Sequence, residues 1–562
     1  MKDTLTADVY QPCDQVERDS PGGDRDNPLD MLSNAMEKAP SAPADAVLPT
    51  TATGKSIPGD YPERLDAATL RVAGVCILAS VMLSVDTTVV SVAQRTFIVQ
   101  FESTQTVVGW TMTGYTLALA TVIPLAGWAA DRFGTKRLWM GSVVAFMLGS
   151  LLCAIAPTIL LLNVFRAVQG MCGGMLMPLG FTILTHVAGP KRLGRLMSVL
   201  GIPMLLGPIG GPILGGWLIN AFSWPWIFLI NLPIGLCAFL LAKFIFPRDQ
   251  PAPSETFDAV GVLLLSPGLA MFLFGVSSIP GRGTLADRHV LVPAIIGLAL
   301  ITAFVVHALH RADHPLIDLR LFRIPAVTHA NVTALIFSIA FFGSLLLIPS
   351  YLQQVLGQTP MQSGLHLIPQ GLGAMLTMPW AGIFMDRKGP GRSVLLGISL
   401  ITVGLAVFTV GVARQADYSP VLLLGLGILG MGMGCTMMPL SGASVQALAP
   451  HEIARGSTLI SVNFQVGGSI GTALMSMVLT SQFNRSQNIS AANEFVRRQE
   501  NAARRGVPVD PSGVPQRTLQ PDFATGLLHD LSHAYTVVML IAVALVAATL
   551  IPASFLPKKP AA

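Results

Sequence analysis

The chain has 562 residues, a length that would suit about three or four soluble domains. Its composition excludes that organisation. Hydrophobic residues make up 52% of the chain and charged residues only 12%, whereas about 25% of the residues of a soluble protein are charged. With a mean hydropathy of +0.62 and a formal net charge of +5, the sequence indicates an all-α membrane protein that crosses the bilayer many times.

Residues 1–66 differ from the rest of the chain. They hold thirteen Asp and Glu against six Lys and Arg and are rich in Pro, Ser and Ala, a composition that predicts a disordered tail. The first long apolar run starts only near Leu70, which is too late for a secretory signal.

Fourteen later segments are apolar enough to cross a bilayer, which takes ~20 residues as a helix. They lie near 70–94, 107–130, 138–156, 158–187, 195–220, 225–246, 258–278, 289–310, 326–352, 361–385, 393–412, 420–447, 456–482 and 534–556. Most Lys and Arg of the short loops fall on one side of these spans, and such loops stay in the cytoplasm. We therefore expect a multi-pass protein of the cell membrane with both termini cytoplasmic.

One loop sequence occurs twice. GWAADRFGTKR at 127–137 recurs as GIFMDRKGPGR at 382–392, with Gly, Asp, Arg, Gly and Arg at matching places. The repeat divides the spans into a six-helix bundle at 67–247, a linker with helices 7 and 8 at 248–318, and a second six-helix bundle at 319–557, followed by a short cytoplasmic tail at 558–562. Duplicated halves are typical of transporters, although channels and membrane enzymes can also be duplicated.

The second bundle contains the one sizeable soluble insertion, an extracytoplasmic loop at 484–533. Residues 491–505 are expected to form a polar surface helix. A lid or docking site and a solvated connector are the two interpretations of this loop.

Two ionisable residues lie deep in the first bundle. Asp86 and Arg166 are each predicted about 12 Å from the outer face, and an ionisable group at that depth costs ~2.5–3.5 kcal/mol on insertion scales. A carboxyl whose exposure and partner change between two conformations can bind and release a proton near neutral pH. We predict that Asp86 exchanges the proton and that Arg166 tunes it; a permanent ion pair that only joins two helices is the alternative.

Small residues and prolines form a stripe beside this pair. They indicate helices that pack closely and rock against each other, and the predicted packing residues are Gly170, Gly174, Gly207, Pro208, Gly211, Pro212 and Gly215. Gln169 and His366 are candidates for a cavity, although a hydrogen-bonded core histidine explains His366 equally well.

The repeated loops are candidates for a cytoplasmic gate. Their Asp residues would pair with cations or helix N-termini on a neighbouring helix and close that side. Ordinary positive-inside charges explain the arginines but not the repeated Asp and Gly. The predicted gate residues are Gly127, Asp131, Arg132, Gly134, Arg137, Asp386, Arg387 and Arg392.

Other chemistry is not expected. The sequence has no nucleophile elbow, P-loop, zinc-ligand spacing, CxxC pair or nucleic-acid motif. We therefore predict no enzyme activity, cofactor, metal or nucleic-acid partner.

These motifs together resemble the major facilitator superfamily, and more closely its 14-helix drug:proton antiporter branch, over residues 67–556. GWAADRFGTKR resembles the motif between helices 2 and 3, LNVFRAVQGMCGG the helix-4 motif, LGIPMLLGPIGGPILGG the helix-5 antiporter motif, and SVDTTVVSVA the helix-1 motif. SWPWIFLINLPIG and HPLIDLRLF are also similar to signatures of this branch. The resemblance implies that Asp86 is the acidic residue of the helix-1 motif and Arg166 the basic residue of the helix-4 motif.

The sequence departs from the branch pattern in two places. Ser91 and then Gln94-Arg95 replace the usual end of the helix-1 motif. In addition, residues 361–385 lack the acid that some exporters of divalent cations carry in helix 10. We therefore expect neutral, anionic or monocationic amphipaths as substrates.

The function predicted from the sequence is proton-coupled antiport, by alternating access, of hydrophobic or amphipathic drugs and toxic compounds. Its partners would be small amphipathic molecules, protons and membrane lipids. Two alternatives stay open: a dedicated exporter of an endogenous metabolite, lipid or siderophore, and a membrane scaffold or sensor that transports nothing.

Overall fold

The computed structural model describes most of the chain after the acidic tail. The described residues are 66–188, 192, 195–196, 207, 210–211, 213–249, 257–279, 286–310, 315–416, 418–446, 448, 452–505 and 515–558. The predicted tail therefore lies outside them except for Asp66, as does half of the predicted span at 195–220. All regular secondary structure in the described residues is helical.

The first part of the chain contains eight helices besides the incompletely described span. They are α1 (Ala67–Gln100), α2 (Gln105–Val122), α3 (Leu125–Phe133), α4 (Thr135–Ala154), α5 (Ile159–Gly174), α6 (Leu176–Ala188), α7 (Trp226–Leu229) and α8 (Asn231–Ile245). Side-chain oxygens of Asp66, Thr104 and Thr158 accept hydrogen bonds from the first turns of α1, α2 and α5, which explains where these helices begin. Pro124 stands in the 55° bend between α2 and α3.

Eleven helices follow. They are α9 (Ala259–Ser277), α10 (Arg288–His310), α11 (Pro325–Gln354), α12 (Pro360–His366), α13 (Ile368–Lys388), α14 (Pro390–Ala413), α15 (Leu423–Gln446), α16 (Ile453–Arg485), α17 (Gln487–Arg505), α18 (Phe523–Ala548) and α19 (Leu550–Ala553). The predicted surface helix at 491–505 is present as α17, which begins four residues earlier at Gln487.

Among the described residues, eleven helical segments are long and apolar enough to cross a membrane, or twelve if the bent pair α2–α3 is one span. α13 is not one of them, because Pro369, Gln370 and Pro379 dilute its apolar character. The structure therefore establishes a polytopic helical bundle, and the predicted number of fourteen spans stays a prediction.

In sequence, the helix pair α9–α10 lies between helices α1–α8 and helices α11–α19. Gly275 and Gly297 let the two helices approach closely, since a Cβ on Gly275 would stand 2.7 Å from the backbone nitrogen of Ala294. α9 also packs on α2, where the Ser266 hydroxyl donates to the Thr121 carbonyl at 2.6 Å. On its other side α9 packs on α16, so this pair bridges the two larger groups of helices.

Helices α2 and α5 are held together by a close backbone contact at Gly170. A methyl group added there would collide with the carbonyl oxygen of Tyr115. We expect Gly170→Ala to lower the free energy of unfolding by ~1–3 kcal/mol, because the two helices must separate to accept it. Thermal unfolding of the purified protein in detergent measures this loss.

The matched control is Gly180→Ala in α6, where the added methyl would have no atom within 4 Å. It should leave the unfolding temperature almost unchanged. Equal unfolding temperatures for the two variants would contradict the close packing of α2 on α5.

Candidate functional site

The carboxyl group of Asp86 lies at the centre of a fully buried polar cluster. Asp86 has no exposed surface, and its oxygens accept three hydrogen bonds from three side chains. Arg166 Nη1 donates to Oδ2 at 2.7 Å, while Gln169 Nε2 and Asn231 Nδ2 donate to Oδ1 at 3.0 and 2.8 Å. Three donors around one carboxyl group satisfy its ionised form.

Arg166 is fixed on several sides. Besides Asp86, its guanidinium donates through Nε to the Thr111 carbonyl at 3.1 Å and through Nη1 to Gln169 Oε1 at 2.8 Å. The central guanidinium carbon, Cζ, also lies 4.1 Å from the centre of the Tyr115 ring, a geometry in which the ring face attracts the cation. The arginine is therefore held by groups on α2 as well as by the acid on α1.

Ser150 on α4 completes the cluster. Its hydroxyl oxygen accepts from Gln169 Nε2 at 2.6 Å and from Asn231 Nδ2 at 3.1 Å. The cluster thus joins α1, α2, α4, α5 and α8 through one carboxylate and one guanidinium of opposite charge. Removing either charge alone would leave the other buried and unpaired, which typically costs ~3–5 kcal/mol.

Part of this cluster was predictable from the sequence. The structure brings Asp86 and Arg166 into direct contact, and it places Gln169, a predicted cavity residue, inside the same cluster with no exposed surface. Asn231 and Ser150 were missed. Asn231 could have been identified because it is a polar residue inside the apolar run IFLINLPIG. Ser150 could not, because serines are common in membrane helices without any functional role.

The predicted packing glycines lie against neighbouring helices. A Cβ on Gly174 would stand 2.6 Å from the Leu119 carbonyl oxygen, and one on Gly215 would stand 3.0 Å from Val89 Cγ1. A Cβ on Gly207 or Gly211 would overlap hydroxyl groups of α1. Pro208 and Pro212 lie outside the described residues.

The two copies of the repeated loop lie at one end of the bundle, called here the loop-repeat end. In the first copy, Asp131 Oδ2 is 3.8 Å from Arg455 Nε of α16, and Arg455 Nη1 is 3.9 Å from Asp318 Oδ2. Gly127 lies against the same helix, since its Cβ would stand 3.2 Å from the Thr458 hydroxyl oxygen. The first loop is therefore tied to the second part of the chain.

The second copy makes the reciprocal contact. Asp386 Oδ2 accepts from the Arg195 side-chain Nε at 2.9 Å and from its backbone N–H at 3.3 Å. This carboxylate is almost completely buried, whereas the arginine side chain is 30% exposed. Each repeated Asp thus pairs with an arginine from the other part of the chain, and these two pairs are called here the latches.

The other predicted gate residues surround the latches. Gly134 has a φ of +90°, and a Cβ there would collide with Asp249, whose carboxylate accepts from the backbone N–H groups of Lys136 and Arg137 at 2.7 and 3.0 Å. A set of exposed arginines lies on these loops: Arg132, Arg137, Arg387 and Arg392.

A third contact between the two parts of the chain lies at this end. The Thr182 hydroxyl of α6 donates to the Ser457 hydroxyl oxygen of α16 at 3.3 Å, and both residues are buried. Together with the latches, it joins the two parts of the chain at the loop-repeat end.

His366 lies at the opposite end of the bundle. Its ring stacks on Tyr418 with the centroids 3.9 Å apart, and its Nδ1 is 2.8 Å from Gln358 Oε1. The tyrosine hydroxyl also donates to the His366 carbonyl at 2.7 Å. The histidine is the last residue of α12, and these contacts are with Gln358 and Tyr418, not with the Asp86 cluster.

The comparisons agree with this geometry. Residues 75–472 match the family model described as Major Facilitator Superfamily. The chain is 67% identical over 533 residues to the multidrug resistance protein B homolog of Mycobacterium tuberculosis (strain H37Rv), covering 94% of this chain and 98% of that protein. It is 31% identical over 405 residues to the multidrug export protein EmrB of Haemophilus influenzae, covering 71% of this chain and 78% of that protein.

A solved structure shares the fold. The crystal structure of the human organic anion transporter MFSD10 matches with a TM-score of 0.55 at 14% identity, covering 86% of this chain and all of that one. At this identity the likeness concerns the fold alone. The family match and the M. tuberculosis relative, whose length is almost fully covered, show that this multi-pass membrane protein belongs to the major facilitator superfamily, a class of transporters and not of enzymes, and to its multidrug efflux family.

Proposed function

We propose that the chain is a proton-coupled antiporter that exports hydrophobic or amphipathic drugs and toxic compounds across the cell membrane by alternating access. The observation that carries this proposal is the Asp86 cluster, where a carboxylate with no exposed surface is paired at 2.7 Å with a buried arginine. A scaffold gains nothing from burying two charges at this cost. A transporter, in contrast, needs a buried carboxylate that can bind and release protons.

The proton step follows from the change of surroundings. In this conformation Arg166, Gln169 and Asn231 all donate to the carboxylate, and none of them offers an acceptor for a proton on it. When the helices move and water reaches Asp86 from outside, loss of one of these donors lets the group take up a proton. In the inward-open form, with the latches released, the donors close around the carboxylate again and the proton leaves to the inside.

Alternating access rests on the two halves of the chain. We place 67–247 and 319–557 as six-helix bundles that rock against each other, with the pair α9–α10 between them. Adding the spans at 195–220 and 361–385 to the twelve apolar segments gives fourteen. By the distribution of Lys and Arg, the loop-repeat end and both termini face the cytoplasm, so the latches hold the cytoplasmic side closed in this conformation.

The substrate class follows from the relatives and from the acids of the bundle. The two relatives above are named for multidrug resistance and multidrug export. In the described residues, Asp86 is the acid buried at mid-depth, while the other buried acids, Asp258 and Asp386, lie at helix ends. A single carboxylate, already paired with an arginine, suits neutral or singly charged amphipaths.

Asp86→Asn tests proton coupling. The amide preserves the shape of the side chain but binds no exchangeable proton in this pH range, so transport into everted vesicles driven by a pH gradient should fall to background. Substrate-dependent proton release from the purified protein should disappear as well.

The matched control is Asp530→Asn. Asp530 lies near the opposite end, where it accepts from Ser486 and Asn488, and its replacement should leave coupling intact. Full coupling in the Asp86→Asn variant, with normal amounts of protein in the membrane, would refute the proposed role of this residue.

Asp386→Asn tests the latches. A partly exposed ion pair contributes up to ~1 kcal/mol, so its loss should shift the balance toward the inward-open form by roughly fivefold. The measurement is the labelling rate of Ser457→Cys in a cysteine-free background by a membrane-impermeant thiol reagent applied to the cytoplasmic side. The exchanged pair Asp386→Arg with Arg195→Asp should restore slow labelling.

The control for the latch experiment is Asp249→Asn. Asp249 holds the first turn of α4 within the first bundle and makes no latch, so labelling of position 457 should stay slow. Equal acceleration by Asp249→Asn and Asp386→Asn would show that loop disturbance in general, and not latch opening, exposes this position.

The charge of the substrate gives a further prediction. For pairs of lipophilic monocations and biscations built on the same scaffold, expression of the protein should raise resistance to the monocation and to neutral analogues but not to the biscation. The measurement is the growth-inhibiting concentration in a host lacking its own exporters. An equal rise in resistance to the monocation and the biscation would contradict the proposal that Asp86 is the one carboxylate available to a substrate.

A further inference from the structure

The side chain of Asn231 has an unexplained feature. It lies at the start of α8 with no exposed surface, and its Nδ2 donates to both Asp86 and Ser150. Its Oδ1 is equally buried, and within the described part of the chain no group donates a hydrogen bond to it. Buried carbonyl oxygens are nearly always satisfied, so this oxygen invites a functional explanation.

The arrangement around Asp86 suits only one of its two protonation states. Its carboxyl group faces N–H donors from α5 and α8: the Arg166 guanidinium and the amides of Gln169 and Asn231. A protonated carboxyl must donate its own hydrogen to an acceptor. Each of these three groups points an N–H hydrogen at the carboxyl and therefore offers no acceptor.

The remaining titratable groups offer no acceptor to that proton. On α2, Tyr115 presents its ring face to Arg166. On α4, Cys153 donates to Gln169 Oε1 at 3.5 Å. On α8, the side chain that reaches Asp86 is the neutral amide of Asn231. A proton on Asp86 therefore requires one of the neighbouring amides to turn.

We propose that Asn231 is a positioning residue whose amide responds to the protonation state of Asp86. When Asp86 is ionised, Nδ2 faces it, as in this structure. When a hydronium ion from the aqueous phase gives its proton to Asp86, an O–H bond forms at Asp86 Oδ1, one O–H bond of the hydronium breaks, and a water molecule leaves. The Asn231 amide then rotates by about 180° to present its own Oδ1 as the acceptor. No other covalent bond forms or breaks, and the proposal rests on the proton role proposed for Asp86.

The cluster can accommodate this rotation without moving a helix. The rotation exchanges an NH₂ group with an oxygen of similar size. The Ser150 hydroxyl now accepts from the amide, and after the rotation it can turn its hydrogen toward the Asn231 oxygen. The Asn231 Oδ1, which accepts no hydrogen bond when Asp86 is ionised, thus accepts from the Asp86 and Ser150 hydroxyl groups when Asp86 is protonated.

The amide stabilises the ionised state more strongly. Its hydrogen bond to a carboxylate is charge-assisted, and such bonds are roughly twice as strong as neutral ones. Asn231→Leu keeps a similar shape and has no polar atoms, so it removes this bond. The midpoint of the carboxyl band in a pH titration should then lie at higher pH than in the wild type.

Infrared difference spectroscopy of the purified protein tests both statements. In the wild type, the carbonyl band of the protonated carboxyl should titrate and should be absent from Asp86→Asn. With ¹³C-labelled asparagine, the same difference spectrum should contain an isotope-shifted side-chain amide band that is lost in Asp86→Asn and in Asn231→Leu. A titrating carboxyl band without this amide band would overturn the inference, even if Asn231→Leu fails to fold.

The matched control is Asn163→Leu. Asn163 lies on α5 near Arg166, but its amide donates to the Val107 carbonyl and makes no contact with Asp86. Its replacement should leave the midpoint in place. An unmoved midpoint in Asn231→Leu refutes the role of Asn231 alone, whereas absence of any carboxyl band that depends on Asp86 refutes the proposed function itself.

Discussion

The burial of one carboxylate against one guanidinium is the constraint on which this structure depends. Taking both charges out of water costs several kcal/mol per ion and is offset only when all their hydrogen bonds are made. Asp86 and Arg166 offset this cost with hydrogen bonds to Gln169 of α5 and to partners on two further helices, Thr111 of α2 and Asn231 of α8. The first bundle is therefore stable only in arrangements that keep these helices together, and a proton on Asp86 changes the strength of the contacts that join them.

The second half of the chain has the repeated loop but not this chemistry. Within its described residues, the buried polar cluster of α11, α15 and α16 is uncharged: Asn331 donates to the Ser444 hydroxyl oxygen at 2.9 Å, and Asn463 donates to Asn331 Oδ1 at 2.7 Å. The latches, in contrast, are reciprocal, with one repeated Asp from each half. Each half thus contributes one repeated Asp to an ion pair at the loop-repeat end, while the deep ion pair belongs to the first half.

The sequence predicted the features that carry a strong physical signal. A charge inside an apolar run is rare and costly, so Asp86 and Arg166 could be identified, and their similar depth meant that they could meet if their helices were neighbours. A constant spacing revealed the loops of Asp131 and Asp386. The latch partners Arg195 and Arg455 resembled ordinary cytoplasmic arginines, and Asn231 is one neutral side chain whose partner lies far away in sequence. Pairing across helices depends on packing, which the periodicity of one segment does not contain.

The helices of the Asp86 cluster also reach the loop-repeat end, and this connects the two sites. α4 carries Ser150 and begins just after Gly134 of the repeated loop, and α6 continues the span of Arg166 to Thr182, ~24 Å further along. α8 carries Asn231 and ends where Lys136 Nζ donates to the Lys243 and Phe246 carbonyls at 2.9 and 2.8 Å. In the proposed mechanism, a small tilt of these helices near Asp86 would therefore become a larger displacement at the latches. Coupling between proton and gate requires no continuous chain of hydrogen bonds, only rigid helices that both sites share.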